Sequence, residues 1–313
     1  MIYHNIEFPL SPEESRAFLG NNDNHLRTLE KLFSCDLVYR NGILRCSLED
    51  EDEQQRFAQA LTAIREALEE GRELNESFLK QIVRSVSAET GLNWQKELLS
   101  YTAAGKPIYP KTAAQAALCK AIATHRLTFS IGPAGTGKTF LAVVMAVKAF
   151  KKGEIDKIVL TRPAVEAGES LGFLPGDLKE KVDPYLMPLY DSLDILIGHE
   201  QLLKLQERGA IEVIPLAYMR GRTLNDAFII LDEAQNTTDK QMLMFLTRLG
   251  SNARMVVNGD ITQIDLKIEK ARSGLVLARK KLQGIEEIGF IDFENHDVVR
   301  NPLVEKIVEA YTE

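Results

Sequence analysis

Gly132-Pro133-Ala134-Gly135-Thr136-Gly137-Lys138-Thr139 satisfies G-x-x-x-x-G-K-[ST] at every fixed position. An apolar run, Leu127–Ile131, precedes it and an uninterrupted helical pattern, Phe140–Phe150, follows, which is the context such a loop requires. The glycines let successive backbone N–H groups turn inward as an anion nest, and the start of the helix adds partial positive charge toward phosphates. Lys138 is spaced to reach the β- and γ-phosphates of a nucleoside triphosphate, and the Thr139 hydroxyl to take a coordination position on Mg²⁺. Further along, Phe228-Ile-Ile-Leu-Asp232-Glu233 is an apolar strand ending in paired acids. Asp232 is placed to hold the Mg²⁺, directly or through water, and Glu233 to polarise the attacking water. Glu233 favours hydrolysis over a P-loop kinase reaction, which needs a base aimed at an acceptor hydroxyl. After a third strand, Asn258-Gly-Asp260-Ile-Thr-Gln263 carries an amide, Gln263, spaced to sense the γ-phosphate or orient the water.

The elements that must position these groups follow from periodicity. From residue 113 onward, short β-branched runs alternate with helical stretches, the pattern of a parallel sheet flanked by helices. The strand candidates are Leu127–Ile131, Lys157–Leu160, Ile211–Pro215, Ala227–Leu231, Ala253–Asn258 and Glu287–Phe293. Residues 1–100 read as a small α+β domain. Leu26, Leu29, Leu32 and Phe33 recur at helical spacing, and Asn41-Gly42 separates two strand-like runs, 36–40 and 43–47, as a hairpin turn. Helices are predicted over 54–70, with the apolar stripe Phe57, Leu61, Ile64 and Leu68, and over 75–86. Residues 101–112 read as a connector with a turn at Gly105-Lys106-Pro107, and 113–313 as the nucleotide-binding domain.

At 313 residues, with 45% hydrophobic and 27% charged residues, the chain has the composition of a globular protein with a full core. The longest apolar run, Phe140–Val147, is far short of the roughly 20 residues that span a bilayer. Met1–Leu10 holds Glu7 and no Lys or Arg, unlike a secretory signal, so a cytosolic protein without a membrane partner is expected. The three cysteines, Cys35, Cys46 and Cys119, include no C-x-x-C pair and indicate neither a disulfide framework nor a zinc site. The net charge of -7 lies entirely in residues 1–100, where the run Glu49–Glu53 is concentrated; the remainder balances to zero. Bulk positive charge for gripping duplex nucleic acid is therefore absent, which leaves a narrow channel lined by a few Lys and Arg.

Beyond these motifs, Leu160–Glu169, Leu171–Gly176, Lys181–Pro184, Ala217–Asp226, Asp232–Asn236 and Asp297–Arg300 resemble the PhoH family of P-loop ATPases. The resemblance extends over residues 107–313, and more weakly over 15–70, which are similar to the family's KH-like N-terminal region. Within the latter, Gly20-Asn-Asn-Asp23 stands where a KH module carries G-x-x-G, and within the former Leu266-Lys267-Ile268 lacks a proline usual after the leucine. The resemblance implies a core similar to a single motor domain of superfamily 1 helicases, with ATP and Mg²⁺ as ligands. It implies Gln115 as an adenine-edge contact beside the phosphate-loop residues, Asp232 and Glu233 as the metal and water pair, and Gln263 as the γ-phosphate sensor. It further implies a role in RNA metabolism, alongside the endoribonuclease that matures ribosomal RNA. By the same likeness Thr161 and Arg162 become candidate contacts to single-stranded RNA, with Lys179 and Lys181 extending the path.

A helicase monomer completes its nucleotide site with an arginine from a second motor domain, and 113–313 has room for one such domain only. An arginine finger contributes on the order of 10³–10⁵ in rate, so one is expected from this domain or from a neighbouring subunit of a homo-oligomeric ring. Arg220, Arg222, Arg254 and Arg300 are the candidates, with Arg300 favoured because it follows the last strand. Two functions fit: an RNA-remodelling ATPase, or an ATP-dependent switch that docks a nuclease or ribosome-maturation partner. RNA stimulation of turnover separates them.

Overall fold

Asn41 and Gly42 both sit at positive φ, 54° and 77°, the backbone a two-residue hairpin turn needs for its twist to match the flanking strands. A computed structural model of the chain describes residues 4–48, 50–69, 74–87, 97–163, 178–264, 273–299, 303, 304 and 307. They fall in two compact units, one of residues 1–97 with 111–113 and 301–313, the other of 98–110 and 114–300.

The first unit runs β1 (His4–Pro9), α1 (Pro12–Leu19), α2 (Asn24–Phe33), β2 (Leu37–Arg40), β3 (Ile43–Leu48), α3 (Glu51–Glu69) and α4 (Glu76–Ser87). Its antiparallel sheet has the order β1-β3-β2. The stripe Phe57, Leu61 and Ile64 of α3 is buried with Phe18, Leu29, Leu44, Leu79 and Ile82 in one core. Neither β1 nor α1 was expected. β1 pairs with β3 across a long sequence separation, Ile6 opposite Cys46, which no local pattern announces. α1 starts from a capping box in which Ser11 and Glu14 satisfy each other's backbone N–H. The loop between α1 and α2 places Asn22 and Asp23 in the left-handed region, φ 53° and 56°.

The second unit begins with a hairpin, β4 (Ser100–Tyr101) and β5 (Pro107–Ile108), turning at Gly105. Two-residue strands are too short to show a period, so this stretch reads as a connector in sequence; the Ala103 N–H ties it to the Ile195 carbonyl at 2.8 Å. Then follow α5 (Ala113–Thr124), β6 (Leu127–Ile131), α6 (Lys138–Lys151), β7 (Lys157–Arg162), α7 (Leu178–Ile197), α8 (His199–Glu207), β8 (Ile211–Pro215), β9 (Ala227–Leu231), α9 (Asp239–Leu246), β10 (Arg254–Gly259), α10 (Gly274–Leu282) and β11 (Ile288–Asp292). The six expected strands form one parallel sheet in the order β11-β6-β10-β9-β7-β8.

Helices cover both faces, so β6 and β9 are buried at every position; β9 is a continuous apolar run, while β6 alternates and buries Thr128 and Ser130 as well. Ile158, Leu160, Phe228, Ile230 and Val256 pack toward α5 to α8, while Val159, Ile229, Leu231, Met255 and Val257 pack toward α9 and α10. Because all six strands are parallel, their carboxyl ends open on one edge. Ligands of open α/β sheets bind in the crevice outside such ends.

Candidate active site

Three glycines give the phosphate loop its course. Gly135 and Gly137 sit at φ 83° and 82°, and Gly132 at φ 152°. A Cβ on Gly132 would lie 2.5 Å from the Phe293 carbonyl oxygen, so no other residue fits there. The loop is moored to the sheet, with Gly132 N–H donating to the Gly259 carbonyl at 3.0 Å, and the Val299 N–H donates to the Gly135 carbonyl at 2.9 Å. α6 starts at Lys138 with no side-chain cap, leaving the N–H groups of its first turn for a ligand.

Lys138 is buried, and its ammonium donates to the Gly132 and Pro133 carbonyls at 2.7 and 2.6 Å and to Thr136 Oγ1 at 3.2 Å. These acceptors are all neutral. Burial pushes its pKa down from the ordinary value, and the carboxylates of Asp260, Asp232 and Glu233 pull it back up. Across the cleft, Thr139 Oγ1 donates to Asp232 Oδ1 at 2.6 Å. Burial pushes the Asp232 carboxyl above its ordinary range and the neighbouring Glu233 charge adds to this, opposed by the Thr139 bond and by Arg162. An ammonium held among neutral acceptors and a carboxylate short of positive charge are complementary deficits, and a Mg²⁺–triphosphate fills both. The residues present therefore fit the metal and nucleotide that the motif implies, with Thr139 and Asp232 as the metal's protein contacts.

Glu233 follows Asp232 in the left-handed conformation, φ 51°, uncommon for a residue with a side chain. That turn carries its carboxylate to Arg162, Nη2 to Oε1 3.0 Å, while Gln235 Nε2 donates to the other oxygen. Gln235, wholly buried, also accepts the Asp260 N–H on Oε1 at 3.0 Å, and its carbonyl accepts the Ser273 hydroxyl at 2.7 Å. One amide thus ties the ends of β9 and β10 together under the cleft. Replacing Ser273 with Ala strands the Gln235 carbonyl and is expected to cost about 1–2 kcal/mol, read as a lower urea midpoint at unchanged slope. A midpoint that does not move would remove Ser273 from this support.

The register carries a polar row across the sheet. Thr161 pairs with Leu231, Leu231 with Val257, and Asn258 with Ser130, so the next step aligns Arg162, Asp232, Asn258 and Ser130 beside the start of α6. Among the described residues, both amide atoms of Asn258, the Ser130 hydroxyl and Asp260 Oδ2 are buried without a hydrogen-bond partner. Such groups are rare away from sites that hold water or ligand.

Gly135, Gly137, Lys138, Thr139, Arg162, Asp232, Glu233 and Gln263 therefore line one cleft of about 390 Å³. Gln115 lies behind the loop, its amide donating to the Thr136 carbonyl at 2.9 Å and packing on Gly137. Thr161 is fully buried, and its carbonyl accepts the Asp232 N–H at 2.9 Å, so its side chain offers nothing to a strand at the surface. Of the candidate fingers, Arg222 is paired with Glu212 at 2.7 Å and Arg254 with Glu154 at 3.3 Å, while Arg220 is exposed. Arg300 and the side chains of Lys179 and Lys181 lie outside the described residues. Gln235 and Asn258 fall inside the Asp232–Asn236 and Asn258–Gln263 motifs and Ser130 in the strand before the loop, but no spacing assigns them a role, because their importance comes from strand order.

Residues 107–312 match the family described as PhoH-like protein. A PhoH-like protein of Bacillus subtilis (strain 168) is 49% identical over 306 residues, covering 96% of this chain and 95% of the relative. One from Synechocystis sp. is 46% identical over 304 residues, covering 96% and 92%. The protein PhoH of Escherichia coli (strain K12) is 45% identical over 208 residues, covering 66% and 58%.

Proposed function

The chain belongs to the PhoH family, and from that premise we propose that it is a Mg²⁺-dependent ATPase whose turnover is coupled to single-stranded RNA. The observation that carries the reading is the 2.6 Å bond from Thr139 to Asp232, with buried Lys138 on one side and Glu233 on the other. Loop N–H groups and Lys138 bind the triphosphate, and Lys138 exchanges its neutral carbonyl partners for phosphate oxygens as it does so. Thr139 and Asp232 would hold the Mg²⁺ ion, which would supply neutralisation of the triphosphate's charge. Glu233 accepts a proton from the attacking water, and Gln263 in the same cleft orients that water. The family resemblance gives Gln115 the adenine edge and the preference for ATP, a role for which its amide must exchange the Thr136 carbonyl for the base.

Arg162 at the end of β7 offers a guanidinium to an RNA phosphate, with Lys179 and Lys181 of α7 continuing the path. The missing catalytic charge comes from Arg300, in this chain or across the interface of a homo-oligomeric ring. The first unit runs β-α-α-β-β-α-α, and its first six elements support the reading of a KH-like domain, with Gly20–Asp23 in the place of the nucleic-acid loop. The partner is an endoribonuclease of ribosomal RNA maturation, and the setting is the cytosol; among the described residues, no helix is long and apolar enough to cross a membrane.

Phosphate release by the purified chain, with and without single-stranded RNA, tests this. Stimulation of about tenfold, roughly 1.4 kcal/mol off the barrier, is expected. A slow rate indifferent to RNA would instead make the chain an ATP-dependent switch, and no release at all would end the ATPase reading.

A further inference from the structure

Glu233 can act as a base only if a carboxylate lone pair faces the attacking water. Both of its oxygens are engaged, Oε1 by Arg162 at 3.0 Å and Oε2 by Gln235. Its left-handed backbone fixes that direction, and Gln235 is itself pinned to the Asp260 N–H. The two partners differ in kind. Gln235 is wholly buried and belongs to the frame. Arg162 ends β7 on the rim of the cleft, and the side chains of Arg162 and Glu233 are 22% and 33% exposed. Partly solvated pairs of this sort are weak, whereas a phosphodiester offers a guanidinium two parallel, charge-assisted acceptors.

We propose that the Arg162–Glu233 ion pair holds hydrolysis back, and that a phosphate of single-stranded RNA releases Glu233 by taking the Arg162 guanidinium. This rests on the ATPase reading above. Arg162 is thus a positioning residue with two alternative partners, and the chain couples occupancy of an RNA groove to the orientation of its base through one side chain. By linkage, what RNA gives up to part Arg162 from Glu233 is no longer lost when the Glu233 carboxylate is absent, so the coupling is visible from the RNA side as well.

The test compares wild type, Arg162→Gln and Arg162→Lys for phosphate release with and without poly(U). Arg162→Gln is expected to raise the RNA-free kcat about tenfold at unchanged KM for ATP and to flatten the response to poly(U), consistent with a base restored to its water. Arg162→Lys retains a cation against Glu233 but not the two-pronged phosphate contact, and is expected to keep the low RNA-free rate with a weaker response to poly(U). Adding Glu233→Gln to Arg162→Gln removes the gain. A lowered RNA-free rate in Arg162→Gln, or an undiminished response to poly(U), overturns the proposal. So does stimulation of wild type by polyglutamate in place of poly(U), which would assign the groove to an acidic protein.

A second measurement does not depend on Arg162→Gln folding or on hydrolysis. Without nucleotide, Glu233→Gln is expected to bind poly(U) a few-fold tighter than wild type, because capture of Arg162 no longer breaks its ion pair with the Glu233 carboxylate. Equal affinity overturns the clamp. If wild type releases no phosphate under any condition, the ATPase reading fails on its own, and this binding comparison still decides whether the clamp exists.

Discussion

Replacing Glu233 with Gln is expected to slow phosphate release by on the order of 10²–10⁴-fold, the usual contribution of a positioned general base. Nucleotide binding is expected to survive, because the groups that hold the triphosphate and its metal, Lys138, Thr139 and Asp232, keep their own contacts. The substitution is nearly isosteric, so the left-handed turn after Asp232 is retained and the amide still offers an acceptor to Arg162 or Gln235. What is lost is the capacity to take a proton. Single-turnover phosphate release against equilibrium binding of a fluorescent ATP analogue separates the two effects. A rate within tenfold of wild type would show that water is activated elsewhere, and Asp260, buried with one oxygen lacking a partner among the described residues, would be the next residue to replace.

Lys138→Ala is expected to remove nucleotide binding along with hydrolysis, a rate loss on the order of 10²–10³-fold or more. Its signature in stability is unusual. The wild-type ammonium is buried among neutral oxygens and its charge is disfavoured there, so its deletion relieves desolvation as it removes hydrogen bonds. The ligand-free melting temperature is therefore expected to change little. A nonhydrolysable ATP analogue at a hundredfold over its Kd stabilises wild type by about 2.7 kcal/mol, several degrees in Tm. Lys138→Ala is expected to show none of that shift. A retained shift would place the triphosphate somewhere other than this loop.

The phosphate loop, the Asp232–Glu233 pair and Gln263 were legible in sequence because each lies at a strand end and has a fixed local spelling. Their strands were legible for the same reason: buried parallel strands are short apolar runs, and Ala227–Leu231 could be bounded to the residue. Lateral neighbours were not legible. Arg162 reads as a surface cation after β7, and only the pairing of β7 with β9 reveals that it meets Glu233. Thr161 was expected at a groove and lies inside, because alternation along β7 turns it into the face with Val159. Gln235 shares the fate of most buried amides. Its worth lies in three contacts made across two strands, and no spacing rule encodes them.

The position of β6 in the sheet also bears on how the protein comes into being. Its two edges are bonded by β10 and β11, strands that lie at the far end of the same unit. At ribosomal speeds of roughly 5–20 residues per second, the strand that ends in the phosphate loop waits many seconds, unpaired on both sides, while its partners are translated. Contacts this remote in sequence are slow to close and leave apolar edges open meanwhile. The sheet can thus build from β8, β7 and β9, but β6 joins it only once β10 is made, and β11 then covers its remaining edge. Competence to hold a nucleotide is in effect a proof of length, granted only to chains that have been made through β11.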